Sequence, residues 1–190
     1  MNVRGIDVEY IEKTVSCKDI FKGRIVHIHV DEVELVDGSR AVREIVEHDG
    51  GVTVIPVDSE GNVYCVRQYR YAFGRSIIET PAGKLEKGED PLACAVRELS
   101  EETGFTAGEY IYLGEFYPSP GYCHEKLYAY LALDLKKGEA HLDEGEFLDV
   151  VKYPLDELVE MVMDNTLADA KTIIAILKAK GYLEKKEERI

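Results

Sequence analysis

The stretch from Gly83 to Phe105 constrains this chain most, because both ends of a helix are written into it. Asp90 is a helix N-cap residue, and Pro91 suits the first helical position, where its missing N–H costs nothing. Gly104 supplies a left-handed stop, so the spacing predicts a helix over about 91–103. Leu92, Ala95, Val96 and Leu99 fall at i, i+3, i+4 and i+7 and are expected to form its core face. Glu98, Glu101 and Glu102 crowd another face. Like charges at that spacing cost roughly 0.2–0.5 kcal/mol per pair, and the C-terminal end of a helix disfavours anions further. A solvated acidic face would tolerate this. A hard divalent cation such as Mg²⁺ or Mn²⁺, bound through oxygen, would remove the repulsion and put the cluster to use. Arg97, four residues before Glu101, can pair with it.

The rest of the chain reads as one core with a β-rich front. A length of 190 residues is too short for two full-sized domains, and 45% hydrophobic residues exclude disorder for the chain as a whole. Residues 1–48 read as strands, with Asp37-Gly38 as a turn, and form an N-terminal β appendage; 49–190 form the main domain. Between Val30 and Val33 the apolar alternation changes face, which predicts a bulge or break. Val52–Val57 and Asn62–Tyr69 flank the Asp58–Gly61 turn and predict a central hairpin. Further strands are expected over Tyr110–Phe116, Lys126–Leu133 and Phe147–Tyr153. Helices are expected over Leu155–Met163 and about Ala168–Lys186, the latter capped near Asp169 and ending in a solvated, frayed Glu-Lys-Lys-Glu-Glu-Arg run.

Lys and Arg number 23 against 37 Asp and Glu, a formal charge of −14, which repels nucleic acid and anionic membranes. No basic stripe with interleaved aromatics appears, which argues against an RNA-end hydrolase. Cys17, Cys65, Cys94 and Cys123 lack C-x-x-C spacing and read as small buried hydrophobes in a reducing compartment. The opening Met-Asn-Val-Arg-Gly-Ile-Asp has no apolar run, and a cytoplasmic chain is expected. His27 and His29 share one side of a strand, but with no third ligand apparent they read as surface or interface packing. Cys123 beside His124 reads as a loop cysteine, not a nucleophile.

The segment satisfies G-x5-E-x7-R-E-U-x-E-E-x-G-U at Gly83, Glu89, Arg97, Glu98, Leu99, Glu101, Glu102, Gly104 and Phe105, U being a bulky apolar residue. This is similar to the signature of the Nudix hydrolases, which cleave a nucleoside diphosphate linked to another moiety. The resemblance implies an α/β/α sandwich with a mixed sheet, its signature a loop–helix–loop that holds divalent metal. It implies Glu98 and Glu102 as metal ligands, Glu101 as a further metal-binding or catalytic carboxylate, the Ala82 carbonyl as another donor, and Arg97 as the group that orients the glutamates.

Outside the signature, Arg67-Gln-Tyr-Arg70, Glu79-Thr-Pro-Ala-Gly83 and Tyr117-Pro-Ser-Pro-Gly121 resemble the ADP-ribose and nucleotide-sugar pyrophosphatase subfamily, which has a proline about 15 residues past the signature, the place of Pro120. Arg70, with Arg67 second, then faces a diphosphate; the alternative for each, stronger for Arg67, is one side of a strand-edge salt bridge. Glu79 meets metal or ligand. The subfamily takes its water-activating carboxylate from an acidic loop, here His141–Asp149, with Glu144 as base and Glu146 as support, or the two exchanged. The resemblance also implies a homodimer in which the N-terminal strands pack on or exchange with the partner subunit. The implied activity is metal-dependent hydrolysis of ADP-ribose to AMP and ribose 5-phosphate. A GDP-mannose-type pyrophosphatase is the alternative, and a non-catalytic nucleotide sensor the competitor that the intact glutamate cluster disfavours.

Overall fold

The computed structural model describes residues 9–188. The chain divides into two compact units, residues to His48 together with Ser119–His124, and Asp49–Pro118 together with Glu125 onward.

The smaller unit is an antiparallel sheet of β1 (Lys13–Lys22), β2 (His27–Glu34) and β3 (Arg40–Glu47), with β2 central. The turn between β2 and β3 forms where expected. The Asp37 carboxylate accepts from the Ser39 amide at 2.9 Å, and Gly38 takes φ 82°, which a side chain would resist. The break expected near Val30–Val33 does not occur: β2 pairs with β3 in unbroken register from His27–Glu47 to Glu34–Arg40. The irregularities lie in β1, between Thr14 and Ser16 and between Asp19 and Phe21. The reason is chemical. His27, His29, Asp31 and Val33 share one face of a continuous strand, and hydrogen bonds to His29 and Asp31 let polar residues stand where the alternation called for apolar ones. The 119–124 loop joins this unit through the Val46 amide, which donates to the Tyr122 carbonyl at 2.8 Å, and the His124 amide, which donates to the Val46 carbonyl at 2.9 Å. All ten residues of β1 are exposed, Cys17 among them. Burial of every cysteine therefore fails; only Cys65 and Cys94 are buried.

The larger unit holds two sheets. One has the order β7-β4-β9-β8, built from β4 (Gly51–Pro56), β7 (Ala82–Lys84), β8 (Phe105–Phe116) and β9 (Leu127–Lys137). The other, β10-β5-β6, is antiparallel and joins β5 (Asn62–Arg70), β6 (Arg75–Glu79) and β10 (Leu148–Pro154). β4 and β9 run parallel, from Gly51–Leu127 to Pro56–Ala132, so the sheet is mixed. The central hairpin is not formed. β7 and β9 occupy both edges of β4, which leaves β5 only a single bridge, Val57–Val63, before it enters the second sheet.

Every residue of β4 is buried, as expected for a strand covered on both faces. On one face Val52 and Val54 pack with Cys94, Ala95 and Leu99 of α1 (Pro91–Thr103). On the other, Ile55 and Leu131 pack with Leu155 and Leu158 of α2 (Leu155–Met163) and Ala175, Ile176 and Ala179 of α3 (Ala170–Glu187). This is the α/β/α layering. Each fully buried Leu or Ile here contributes about 1.5–3 kcal/mol. The α1 core stripe differs from expectation, since Leu92 and Val96 are exposed whereas Cys94, Ala95, Leu99 and Glu102 are buried. The helix is turned so that its glutamates, not Val96, face the protein.

Candidate active site

Helix α1 begins and ends as its sequence dictates. The Asp90 carboxylate accepts from the Leu92 and Ala93 amides at 2.9 and 3.1 Å, and Gly104 closes the helix at φ 72°. Strand β7 runs past the middle of this helix so closely that a Cβ on Gly83 would lie 1.8 Å from the Glu98 carboxylate. A side chain at 83 would displace the Glu98 carboxylate from its place against β7.

Arg97 is a single guanidinium shared among three acids. It donates to both oxygens of Glu89 at 3.0 Å, to Glu98 at 2.7 Å and to Glu101 at 3.0 Å. Hydrogen bonding to Arg97 holds the Glu89 carboxyl down at about 2, and the same bonds raise Arg97 above its already high value. For Glu98, burial is the largest influence and raises it, against the pull of Arg97 and with added repulsion from Glu101 and Glu146. Glu102 is 3% exposed and takes one hydrogen bond, from the Ala82 amide at 3.0 Å. Burial, aided by Glu146 and Glu98, pushes its carboxyl up to about 8. Among the described residues Glu102 has no ion pair. Crowded carboxylate oxygens of this kind, around a cleared backbone, fit a hard divalent cation, which is bound through oxygen and lowers the cost of the shared charge.

A second buried carboxylate lies in the same unit with its charge balanced. Glu79, 1% exposed, receives a bidentate pair from Arg70 at 2.6 and 2.7 Å and an ion pair from Lys171. Burial pushes its carboxyl up, but Arg70 and Lys171 together outweigh burial and hold it below the usual range. Lys171 also binds Asp169 at 2.9 Å. Asp169 is the N-cap of α3 as expected, accepting from the Thr172 amide at 3.0 Å and its hydroxyl at 2.6 Å. Thr172 in turn accepts from the Thr80 amide at 2.9 Å, and Thr80 meets Thr53 of β4 at 2.7 Å. These threonines fix the Glu79–Ala82 turn between the sheet and α3.

Of the residues singled out from sequence, the structure brings Glu98, Glu101, Glu102, Arg97 and Ala82 together, and Arg70 with Glu79. Glu146 is half-buried, hydrogen-bonded by Gln68 at 3.3 Å, and raises both Glu98 and Glu102 by its charge; Glu144 is exposed. Arg67 forms an exposed cross-strand pair with Asp149 at 3.4 Å. Pro120 is exposed in the 119–124 loop of the smaller unit. Sequence reasoning passed over Lys171, Thr172 and Gln68. Lys171 carried a signal, because a lysine in the first turn of a helix opposes the dipole and needs an acid nearby to justify it.

The chain is 46% identical over 167 residues to a methanol dehydrogenase activator of Bacillus methanolicus, covering 87% of this chain and 90% of the relative. It is 42% identical over 178 residues to an ADP-ribose pyrophosphatase of Bacillus subtilis (strain 168), covering 93% and 94%. A crystal structure of an ADP compounds hydrolase shares the fold with a TM-score of 0.83 over 96% of this chain and 98% of that one, at 22% identity. The NUDIX domain model matches residues 47–175, the span that contains both glutamate systems, and the chain belongs to the NUDIX family.

Proposed function

We propose that this chain is a Nudix pyrophosphatase that hydrolyses a nucleoside diphosphate sugar, with ADP-ribose as the preferred substrate. The observation that carries the reading is Glu102, buried with no ion pair among the described residues, in the same cluster as Glu98 and beside the Ala82–Gly83 backbone. Glu98 and Glu102, with Glu101 and the Ala82 carbonyl, would hold Mg²⁺ or Mn²⁺. When bound, such a cation neutralises the diphosphate and makes its phosphorus more electrophilic. The residues do the remainder. Arg97 keeps three acids in a fixed arrangement, and Glu146, with Glu144 as the alternative, accepts a proton from the attacking water. The water oxygen bonds to one phosphorus, the bond from that phosphorus to the bridging oxygen breaks, and ADP-ribose yields AMP and ribose 5-phosphate. Arg70, aligned by Glu79, offers a cation to the diphosphate; Arg67 and Pro120 are proposed as outer substrate contacts. The resemblance to a methanol dehydrogenase activator supports a second reading, in which this chain raises the activity of a dehydrogenase.

Residues 1–48 are proposed as a dimerisation appendage to a 49–190 hydrolase domain. Val15, Ile20, Phe21 and Val42 are exposed on β1–β3, an apolar surface for a partner subunit. The four free thiols fit a reducing compartment, the cytoplasm. Light scattering on a sizing column should give a dimer mass, and a monomer at micromolar concentration would remove this part. The activity is tested with ADP-ribose, GDP-mannose, UDP-glucose, NADH and a diadenosine polyphosphate in Mg²⁺ or Mn²⁺, products being separated by chromatography. Fastest metal-dependent release of AMP from ADP-ribose is expected. Preference for GDP-mannose or NADH would change the substrate, and binding without cleavage of any of them would overturn the enzyme reading.

A further inference from the structure

The face of the N-terminal sheet that carries His27 and His29 holds more than those two residues. Pairing of β1 with β2 sets Cys17 against Asp31 and Asp19 against His29, and pairing of β2 with β3 sets Glu47 against His27. Directly opposed residues share a face, so the register gathers a thiol, two imidazoles and three carboxylates on one side of three short strands. The third ligand that the sequence did not reveal comes from the neighbouring strand. Two of the donors cannot be found by reading along β2 at all, because their separation from His29, 12 residues for Cys17 and 18 for Glu47, is bridged by pairing.

The atoms of three of these residues converge. Cys17 Sγ lies 3.5 Å from His29 Nδ1, Asp31 Oδ1 lies 2.8 Å from the same nitrogen, and one ligand atom from each residue falls within 4.8 Å of the others. On the far side of the ring, Nε2 faces Glu47 Oε1 at 3.3 Å. A neutral imidazole has one N–H and one lone pair. In the structure Nδ1–H donates to Asp31, and the neighbouring carboxylates favour the protonated ring. A metal ion would replace that proton, the remaining N–H staying on Nε2 toward Glu47, so that the Nδ1 lone pair, the sulfur and the carboxylate oxygen would converge on the ion. A carboxylate behind the imidazole is also the usual way a metal-ligating histidine is oriented. The nearby arginine does not compete for these donors: Arg43, opposite Asp31 on β3, is committed to Glu12 through bonds of 2.8 and 2.5 Å.

We propose that Cys17, His29 and Asp31 form a second metal site, separate in kind from the all-oxygen glutamate cluster, that takes a borderline divalent ion of the zinc class. A sulfur, nitrogen and oxygen set selects Zn²⁺ or Co²⁺ over Mg²⁺, and three protein ligands leave a fourth position for water. On binding, the thiol proton passes to solvent and the thiolate becomes the ligand. His29, only 8% exposed, provides the buried anchor, and exposed Cys17 provides the entry side. The ion would join β1 to β2 between the two irregularities in their pairing.

The test uses the full-length reduced protein, stripped with a chelator and titrated with Co²⁺. A thiolate-to-cobalt charge-transfer band in the near ultraviolet should appear and saturate at one equivalent. Zn²⁺ should displace it and Mg²⁺ should not. Cys17→Ser should abolish the band, and Glu47→Gln should weaken binding about ten- to a hundredfold, the range for losing an orienting carboxylate. The Glu98→Gln/Glu102→Gln double variant should keep the band unchanged. Absence of a thiolate band in the wild-type protein, or its persistence in Cys17→Ser, would overturn the proposal. Should Cys17→Ser not fold by circular dichroism, Asp31→Asn decides instead, with undiminished Co²⁺ affinity as the contrary result.

Discussion

Glu79 and Glu102 are both buried, at 1% and 3% exposure, in the same unit of the same chain, yet they are treated in opposite ways. Glu79 receives a guanidinium and an ammonium from its own chain. Glu102 receives one backbone amide and only a weak, unpaired pull from Lys171, against the repulsion of Glu98 and Glu146. A buried carboxylate with its cations supplied internally stays charged; one without an ion pair keeps its proton to higher pH, and its charged form is costly unless a cation balances it. The contrast singles out Glu102 as the buried carboxyl whose charge the chain leaves unpaired.

The comparison breaks most visibly in activity. Glu102→Gln should reduce turnover at least about a hundredfold, since the substitution keeps shape and removes the ligand charge. Glu146→Gln should cost about 10²–10⁴ in kcat if it is the base, with Glu144→Gln much milder; the reverse pattern in the same steady-state assay would transfer the role.

Stability should separate the two carboxylates by sign. In chelator, Glu79→Gln should lose about 2–4 kcal/mol by denaturant unfolding, because half-buried Arg70 loses its ion-pair partner and half-buried Lys171 keeps only Asp169. Glu102→Gln should lose nothing or gain. Glu79 is held below its unfolded value of 4.5, so its contribution is complete above that pH and fades as acid protonates it below; the Gln variant should have a flatter acid limb. Equal losses from both substitutions would erase the distinction.

The helix that carries the cluster was legible to the residue, because Asp90, Pro91 and Gly104 act locally and need no tertiary information. The burial of its glutamates was not. Amphipathic spacing placed Leu92 and Val96 inward, whereas in the fold the helix sets Glu98 against Gly83 of β7 and buries Glu102, contacts that no local spacing encodes. Strand partners were hidden for a similar reason. The turn at Asp58–Gly61 signals a reversal, but which sheet β5 joins depends on β7 and β9 having filled the edges of β4. Lys171 and Cys17 reach Glu79 and His29 across 92 and 12 residues, distances at which no periodicity speaks.

Metal addition should move the unfolding temperature of one system and not the other. At about a hundred times its Kd, a cation that binds only the folded state adds about 2.7 kcal/mol, worth several degrees in a chain of this size. Wild type and Glu79→Gln should both show the increment by calorimetry in Mg²⁺ or Mn²⁺. The Glu98→Gln/Glu102→Gln variant should not, and an undiminished shift there would detach the metal from the cluster.

Arg67 gives the smallest and sharpest case. It is a cation paired with an acid, as Arg70 is, but both Arg67 and Asp149 are more than half exposed and 3.4 Å apart. Water screens such a pair, so Arg67→Ala should change stability by less than about 0.5 kcal/mol. Its effect on KM is then free of any folding loss. A raised KM for ADP-ribose with unchanged kcat would mean that Arg67 leaves Asp149 for the diphosphate, whereas unchanged kinetics would leave Arg70 as the arginine of the Arg67–Arg70 strand end that faces substrate.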